Sequence, residues 1–209
     1  MDTKGKILDA AEELFADRGF ASTSLRDITT EAEVNLAGVN YHFGSKLDLL
    51  RAVFARRLGP VNAERLERLD ALEEPGVEDV LRAFVAPLFK RLREPGNGWA
   101  KFMQLVGRTH SDTNDEIRAC LIDQIRVIAT RFAGALQTAL PELPPDVFIS
   151  RFHFFVGAMA HTLAFCRHED MPLVSSLPEP EAILDNLVDF AVAGLRAPAK
   201  SAMSLEEVP

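Results

Sequence analysis

The run Asn35-Leu-Ala-Gly-Val-Asn-Tyr-His-Phe-Gly-Ser-Lys46 constrains this chain more than any other stretch. Asn35 is a strong helix N-cap, because its side-chain oxygen can accept from N–H groups that lack a partner in the first turn. Leu36, Val39 and Phe43 then recur at helical spacing and predict one apolar face. The other face carries Ala37, Gly38, Asn40, Tyr41 and His42. These residues are small or hydrogen-bonding, and none bears a fixed charge. Gly44 ends the segment. Ser45, with Asp48 three residues on, starts a further helix through a variant of the capping box. A short helix held by one apolar face, with small polar groups on the other, suits the major groove of DNA.

The residues before this run supply the first half of a helix-turn-helix. Leu25, Ile28 and Ala32 form an apolar stripe on a helix of about 24–33, capped by Thr23 or Ser24, and Glu33-Val34-Asn35 is the tight turn. Residues 7–54 resemble the DNA-binding domain of the TetR family of one-component transcriptional regulators. The resemblance rests on Ile7-Leu-Asp-Ala-Ala-Glu-Glu-Leu-Phe15, Arg18-Gly19-Phe20, Thr23-Ser-Leu-Arg-Asp-Ile28, Val34, Tyr41-His-Phe43 and Ser45-Lys46. It is colinear, gap-free and covers about a quarter of the chain. One position departs from it: the family commonly has a glycine before the valine of the turn, and Glu33 stands there.

Chemistry assigns roles within this unit. Asn40, with the exposed edge around Ala37 and Gly38, is the candidate for reading bases. Asn pairs bidentately with adenine, and a small residue admits close approach or touches a thymine methyl. Leu36 is a further base-facing candidate. Tyr41, His42 and Lys46 are candidates for phosphate contact, as are Thr23, Ser24 and Arg26 at the start of the second helix. The resemblance implies the same role for Tyr41 and Lys46. Two structural alternatives stay open: Tyr41 packing on the first helix, and His42 as a core-edge histidine. With no arginine on the reading helix, specificity per half-site is modest, and a dimer is required.

Charge is the main objection to DNA binding. The net charge is −8, and in residues 1–50 Lys4, Lys6, Arg18, Arg26 and Lys46 face nine acids. The acids must therefore be segregated, most of them on faces of the first two helices turned away from the reading segment. Phosphate contacts can be few, since backbone N–H groups and helix N-termini also bind phosphate. Cys120 and Cys166 lie far apart in apolar helical surroundings and read as buried reduced thiols, with a redox-sensing pair as the alternative. Asp2, Lys4 and Lys6 interrupt any early secretory signal, and the longest apolar run, 152–166, is short of a membrane span. The expectation is a cytoplasmic protein.

Beyond the reading unit the pattern stays helical, with no strand-like alternation. The fold expected is all-α with about nine helices: a helix-turn-helix domain at 1–46 and an effector-binding and dimerisation domain at 47–209. Helix 1 spans 3–18, capped by Thr3 and closed by Gly19. Helix 4, from Ser45, bends or breaks near Gly59-Pro60, and if continuous it ties the head to the rest. A fifth helix, 77–93, kinks at Pro87. A sixth covers 99–110, a seventh 114–140, an eighth 146–168 and a ninth 180–196. Phe102, Met103, Val106, His110, Ile128, Phe132, Phe155 and Met159 are either core and dimer interface or the lining of a long apolar pocket, with Gln104, Arg108, His110 or His161 holding a ligand head.

The resemblance implies that this region binds a small molecule and that helices 8 and 9 pair into a homodimer. The reading run, together with Ala52-Val-Phe54, Leu58-Gly-Pro60, Phe102-Met103, Gly107 and the stretch 152–157, is similar to the fatty-acid-responsive, PsrA-type branch. That implies a lipophilic acid or its thioester as effector. The expected partners are an operator in double-stranded DNA, this effector and a second copy, with no membrane and no cofactor. The expected function is a regulator released from its operator by ligand, with activation as the alternative. Two rival classes remain. For an enzyme the chain lacks every phosphate-loop, dinucleotide, nucleophile-elbow or zinc-protease signature, though His153, His161 and His168, with Glu169 and Asp170, lie on or beside the eighth helix, and His161 and His168 share a face at i, i+7 compatible with a metal. A dimeric helical adaptor that ignores DNA is the other.

Overall fold

The computed structural model describes residues 2–94, 96–165 and 179–199. Among these the chain is helical throughout: α1 (Thr3–Arg18), α2 (Leu25–Glu31), α3 (Leu36–Phe43), α4 (Lys46–Asp70), α5 (Val77–Arg93), α6 (Trp99–His110), α7 (Asp115–Ala139), α8 (Pro145–Phe165) and α9 (Pro180–Arg196). The expected all-α class and helix order hold. Each early helix starts on a side-chain cap. Asp2, rather than Thr3, accepts from Gly5 N–H and opens α1. Ser24 opens α2 in a reciprocal capping box with Asp27. Asn35 accepts from Gly38 N–H at 2.8 Å and opens α3. Ser45 accepts from Asp48 N–H and opens α4.

The departure at Glu33 has a backbone consequence. Glu33 sits at φ +54°, the left-handed region, where a side chain costs about 1–2 kcal/mol relative to glycine. Val34 N–H still reaches Thr29 C=O at 3.0 Å, so the turn closes despite the strain. Glu33→Gly should relieve the strain while giving back part of it as unfolded-chain entropy. The net expectation is a gain of about 0.5–1 kcal/mol, seen as a midpoint about 1–4 °C higher in thermal unfolding. An unchanged or lower midpoint would mean that the turn carries no such strain.

Helix α4 neither breaks nor stops at Pro60; it runs for 25 residues. Proline costs the carbonyl four residues earlier its hydrogen bond. Here Gly59 and Pro60 face solvent, so water can take that carbonyl and the helix continues. Continuity matters, because the N-terminal half of α4 buries Leu49, Leu50, Val53 and Phe54 against the head, and its C-terminal half buries Val61 and Leu69 against α5 and α7. One apolar core therefore runs from Ile7 to Leu195. Pro87 likewise lies inside an unbroken α5, but buried.

Candidate functional site

The reading segment is held from beneath and open above. Val39 is wholly buried and Phe43 packs on the core, while Ala37, Asn40, Tyr41 and His42 are exposed. Tyr41 is 85% exposed, which excludes packing on α1. His42 stacks edge-on to it, with ring centroids 5.1 Å apart, and is no core-edge residue. Leu36 is 41% exposed, so it sits at the margin of the apolar face rather than within it. Gly38 lies beside Thr3 of α1: a β-carbon there would stand 3.8 Å from Thr3 Cγ2. That contact brings the start of α1, with exposed Lys4 and Lys6, to the edge of the reading helix. Sequence reasoning did not assign these two lysines; two bases directly after a helix cap were the available signal.

The remaining phosphate candidates differ. Arg26 is exposed on α2. The Ser24 hydroxyl is engaged with Asp27, 2.7 Å from Oδ2, and this bond holds the Asp27 carboxyl below its ordinary range. Thr23 is a correction. It is 1% exposed, and its hydroxyl lies within hydrogen-bond reach of the Leu14 and Gly19 carbonyls, so it ties the end of α1 to the following loop instead of facing DNA. Lys46 Nζ donates to the Phe20 and Thr23 carbonyls, each at 2.8 Å, and stands 4.2 Å from the Phe20 ring centroid. Partial burial lowers its pKa, and the third N–H of the ammonium is left for an external acceptor.

Four of the nine acids, all on α1, are turned toward the body. Glu12, 5% exposed, is clamped by Arg56 and Arg57 of α4, with Arg57 Nε–Glu12 Oε2 at 2.8 Å. Asp9 pairs with Arg56 as well. Glu13 and Asp17 pair with Lys101 of α6. Arg57 also donates to the Asn97 carbonyl. Gly98 follows at φ +70°, where a β-carbon would come within 3.0 Å of Arg57 Nη2. Four of the acids that argued against DNA binding thus form the seam between head and body.

Of the residues expected to line a pocket, Phe102, Met103, Ile128, Phe132, Phe155 and Met159 are buried and Val106 is half-buried. They divide into two groups. Phe102 packs on Phe54 and Trp99, at 5.9 and 5.1 Å between ring centroids, beside the seam. Phe132 and Phe155 close around Phe84 of α5, at 4.9 and 6.0 Å. His110 is a correction: it is exposed at the C-terminal end of α6 and lines no interior. His161 and Arg108 are exposed too. Phe84 went unassigned in the sequence, and so did Arg65 of α4, which is 2% exposed with its guanidinium 4.1 Å from the Phe84 ring centroid. Burial brings its pKa down to about 9, so it stays charged at neutral pH.

Other features are settled more simply. Among the described residues no group of His, Cys, Asp and Glu could hold a metal ion. His168, Glu169, Asp170 and Cys166, named in the sequence, lie outside them. Cys120 is fully buried, and burial pushes its thiol pKa up, which disfavours the reactive thiolate. No helix among the described residues is long and apolar enough to cross a membrane.

Comparison with known proteins gives two family matches. Residues 7–53 match the family described as bacterial regulatory proteins, tetR family, and residues 82–194, more than half of the chain, match the tetracyclin repressor-like C-terminal domain. A curated relative, the HTH-type transcriptional regulator SrpR of Pseudomonas putida, is 32% identical over 94 residues, which is 45% of this chain and 41% of SrpR. The match thus spans about two fifths of that relative's length. The transcriptional regulator FadR from Bacillus subtilis, solved in complex with stearoyl-CoA, shares the fold at TM-score 0.72 and 17% identity, covering 91% of this chain and 98% of FadR. AibR, solved with isovaleryl coenzyme A and operator DNA, does so at TM-score 0.66 and 22% identity, covering 90% and 97%.

Proposed function

Because the chain belongs to the tetR family of bacterial regulatory proteins, we propose that it is a homodimeric, ligand-responsive transcriptional regulator. It acts as a repressor that leaves its operator when a small lipophilic effector, such as a fatty acid or acyl thioester, enters the C-terminal domain. The observation that carries the DNA-binding half is α3: a capped, uncharged helix with Val39 buried and Asn40, Tyr41 and His42 open to solvent. Asn40 reads bases with Ala37, Gly38 and Leu36 beside it. Tyr41, His42, Lys46, Arg26 and Ser24 meet phosphates, joined by Lys4 and Lys6. The protein works in the cytoplasm, beside the DNA that it reads.

The effector half is supported by the aromatic interior around Phe84, Phe132 and Phe155 and by the two acyl-CoA complexes among proteins of this fold. Helix α4 starts at Lys46, under the reading helix, and passes the same interior. A ligand that parts those rings and prefers another setting of α4 changes the separation of two reading heads, which must stand one DNA turn apart, about 34–36 Å, or a multiple of it. Operator affinity falls by the ratio of the ligand's affinities for the two states.

The test is a binding titration on a fragment from upstream of the chain's own coding region and on base variants of the bound site. Tyr41→Ala leaves the fold untouched, because the ring is exposed, and should weaken binding on all sequences alike. Lys46→Ala should do the same, with some loss of stability through its bonds to Phe20 and Thr23. Asn40→Ala should change which bases are preferred, by about 1–3 kcal/mol at one position. Unchanged preferences with Asn40→Ala would remove its base-reading role, and undiminished binding with Tyr41→Ala would remove α3 from the interface.

A further inference from the structure

Arg65 is an anomaly in an otherwise apolar interior. A guanidinium removed from water is strongly disfavoured unless an anion faces it, and among the described residues its hydrogen-bond partners include no carboxylate. The acids on the same part of α4 lie elsewhere: Glu64 pairs with Arg68, Lys90 and Arg91, Asp70 pairs with Arg131, and Glu67 is exposed. Instead Arg65 Nε donates to the Phe84 carbonyl at 2.7 Å, and Nη1 donates to Asn62 Oδ1 at 3.1 Å. Both acceptors are neutral. One of them is held from behind. Asn62 Nδ2 donates to the Gln124 carbonyl of α7 at 2.8 Å, which turns its oxygen toward Arg65.

The cation therefore lies beside the apolar centre without a charged partner. Its flat face covers Phe84, whose ring meets Phe132 of α7 and Phe155 of α8. We propose that Arg65 is the counter-charge for the effector, which is a lipophilic carboxylate: the carboxylate sits on the guanidinium, and the tail lies among Phe84, Phe132 and Phe155. Arginine presents a planar fork that matches a carboxylate two-to-two. A free acid brings a full negative charge to Arg65, whereas a thioester carbonyl would offer it only one more neutral acceptor. The inference rests on the effector reading above and narrows it to the head group.

The experiment titrates the full chain with dodecanoate, 1-dodecanol, methyl dodecanoate and dodecanoyl-CoA, read by thermal shift and by fluorescence of Trp99, the single tryptophan. Dodecanoate should bind about tenfold or more tightly than the alcohol or the ester, as one charge-assisted pair implies. Arg65→Gln should erase that preference while leaving the alcohol's affinity unchanged. If the alcohol or ester binds the native chain as well as dodecanoate does, Arg65 only braces α4 against α5, and the inference fails while the effector reading stands. The same follows if dodecanoyl-CoA binds more tightly than dodecanoate and Arg65→Gln leaves it unaffected. If none of the four binds, the effector reading itself is lost and the inference with it. The native-chain comparison decides even if Arg65→Gln does not fold.

Discussion

Replacing Phe154 and Phe190 together by glutamate is expected to give a folded monomer that has lost operator binding. Ile149, Phe154 and Phe190 are 64%, 67% and 64% exposed on α8 and α9, two helices that pack on each other. On α8, Ile149, His153, Phe154, Gly157 and His161 form an open face at helical spacing, and on α9 Phe190, Ala193 and Gly194 do the same. β-carbons built on Gly157 and Gly194 would meet nothing within 4 Å, so both faces are unobstructed. Large aromatics exposed to water on two neighbouring helices mark an association surface. In the single chain a glutamate at either site is solvated and costs within about 0.5 kcal/mol. In a homodimer built on these helices it brings like charges together in a desolvated seam. One reading helix per particle then replaces two, and avidity of about 10²–10⁴ disappears. Sedimentation equilibrium and a DNA titration check this. A dimer that survives both substitutions would place the interface on another face.

Loss of the Glu12 carboxylate is expected to have the largest effect on stability. Glu12→Ala leaves the Arg56 and Arg57 guanidinium groups facing each other without the anion between them. Breaking a fully buried pair by removing one partner costs about 3–5 kcal/mol. The two arginine side chains keep 28% and 24% of their exposure, so water recovers part of this, and about 2–3 kcal/mol remains. The thermal midpoint should fall on the order of 5–10 °C. Lys101→Ala serves as the control. Its pairs with Glu13 and Asp17 are open to solvent and are worth about 0–1 kcal/mol. Equal losses in the two variants would mean that the seam is held by apolar packing, with Phe54 and Phe102, and not by this carboxylate. Because Glu12 ties α1 to α4 and, through Arg57, to the α5–α6 loop, its loss should also loosen the head against the body. Proteolysis between them in the native state would report that.

Much of the head is legible in the sequence. Ser24, Asn35 and Ser45 are caps because a short oxygen-bearing side chain reaches an N–H two or three residues away whatever the rest of the chain does. Val39 inward and Asn40 and Tyr41 outward follow from a period of 3.6 over a helix too short to drift. The same rules misplaced Thr23. Its hydroxyl had two possible uses, and the choice depends on how the end of α1 lies over the loop. They also misplaced His110, since helical spacing says which residues share a face but not which neighbour that face meets. At Pro60 a bend or break and a continuous helix both stayed open, because the cost of a lost hydrogen bond depends on whether water can reach the freed carbonyl.

The sequence by itself determined the helices, their caps and an uncharged reading face, because those are set by bonds and periodicities that act within about one turn. Only the tertiary structure decided where charge went. Asp9, Glu12, Glu13 and Asp17 turn from the reading face onto Arg56, Arg57 and Lys101, which lie 44 or more residues away from Glu12 where hydrogen bonds join them. Arg65 looks like any arginine on a long polar helix until α5 and α7 close over it. The free energy of a charge depends on the medium and the partners around it, and these are supplied by segments distant in the chain.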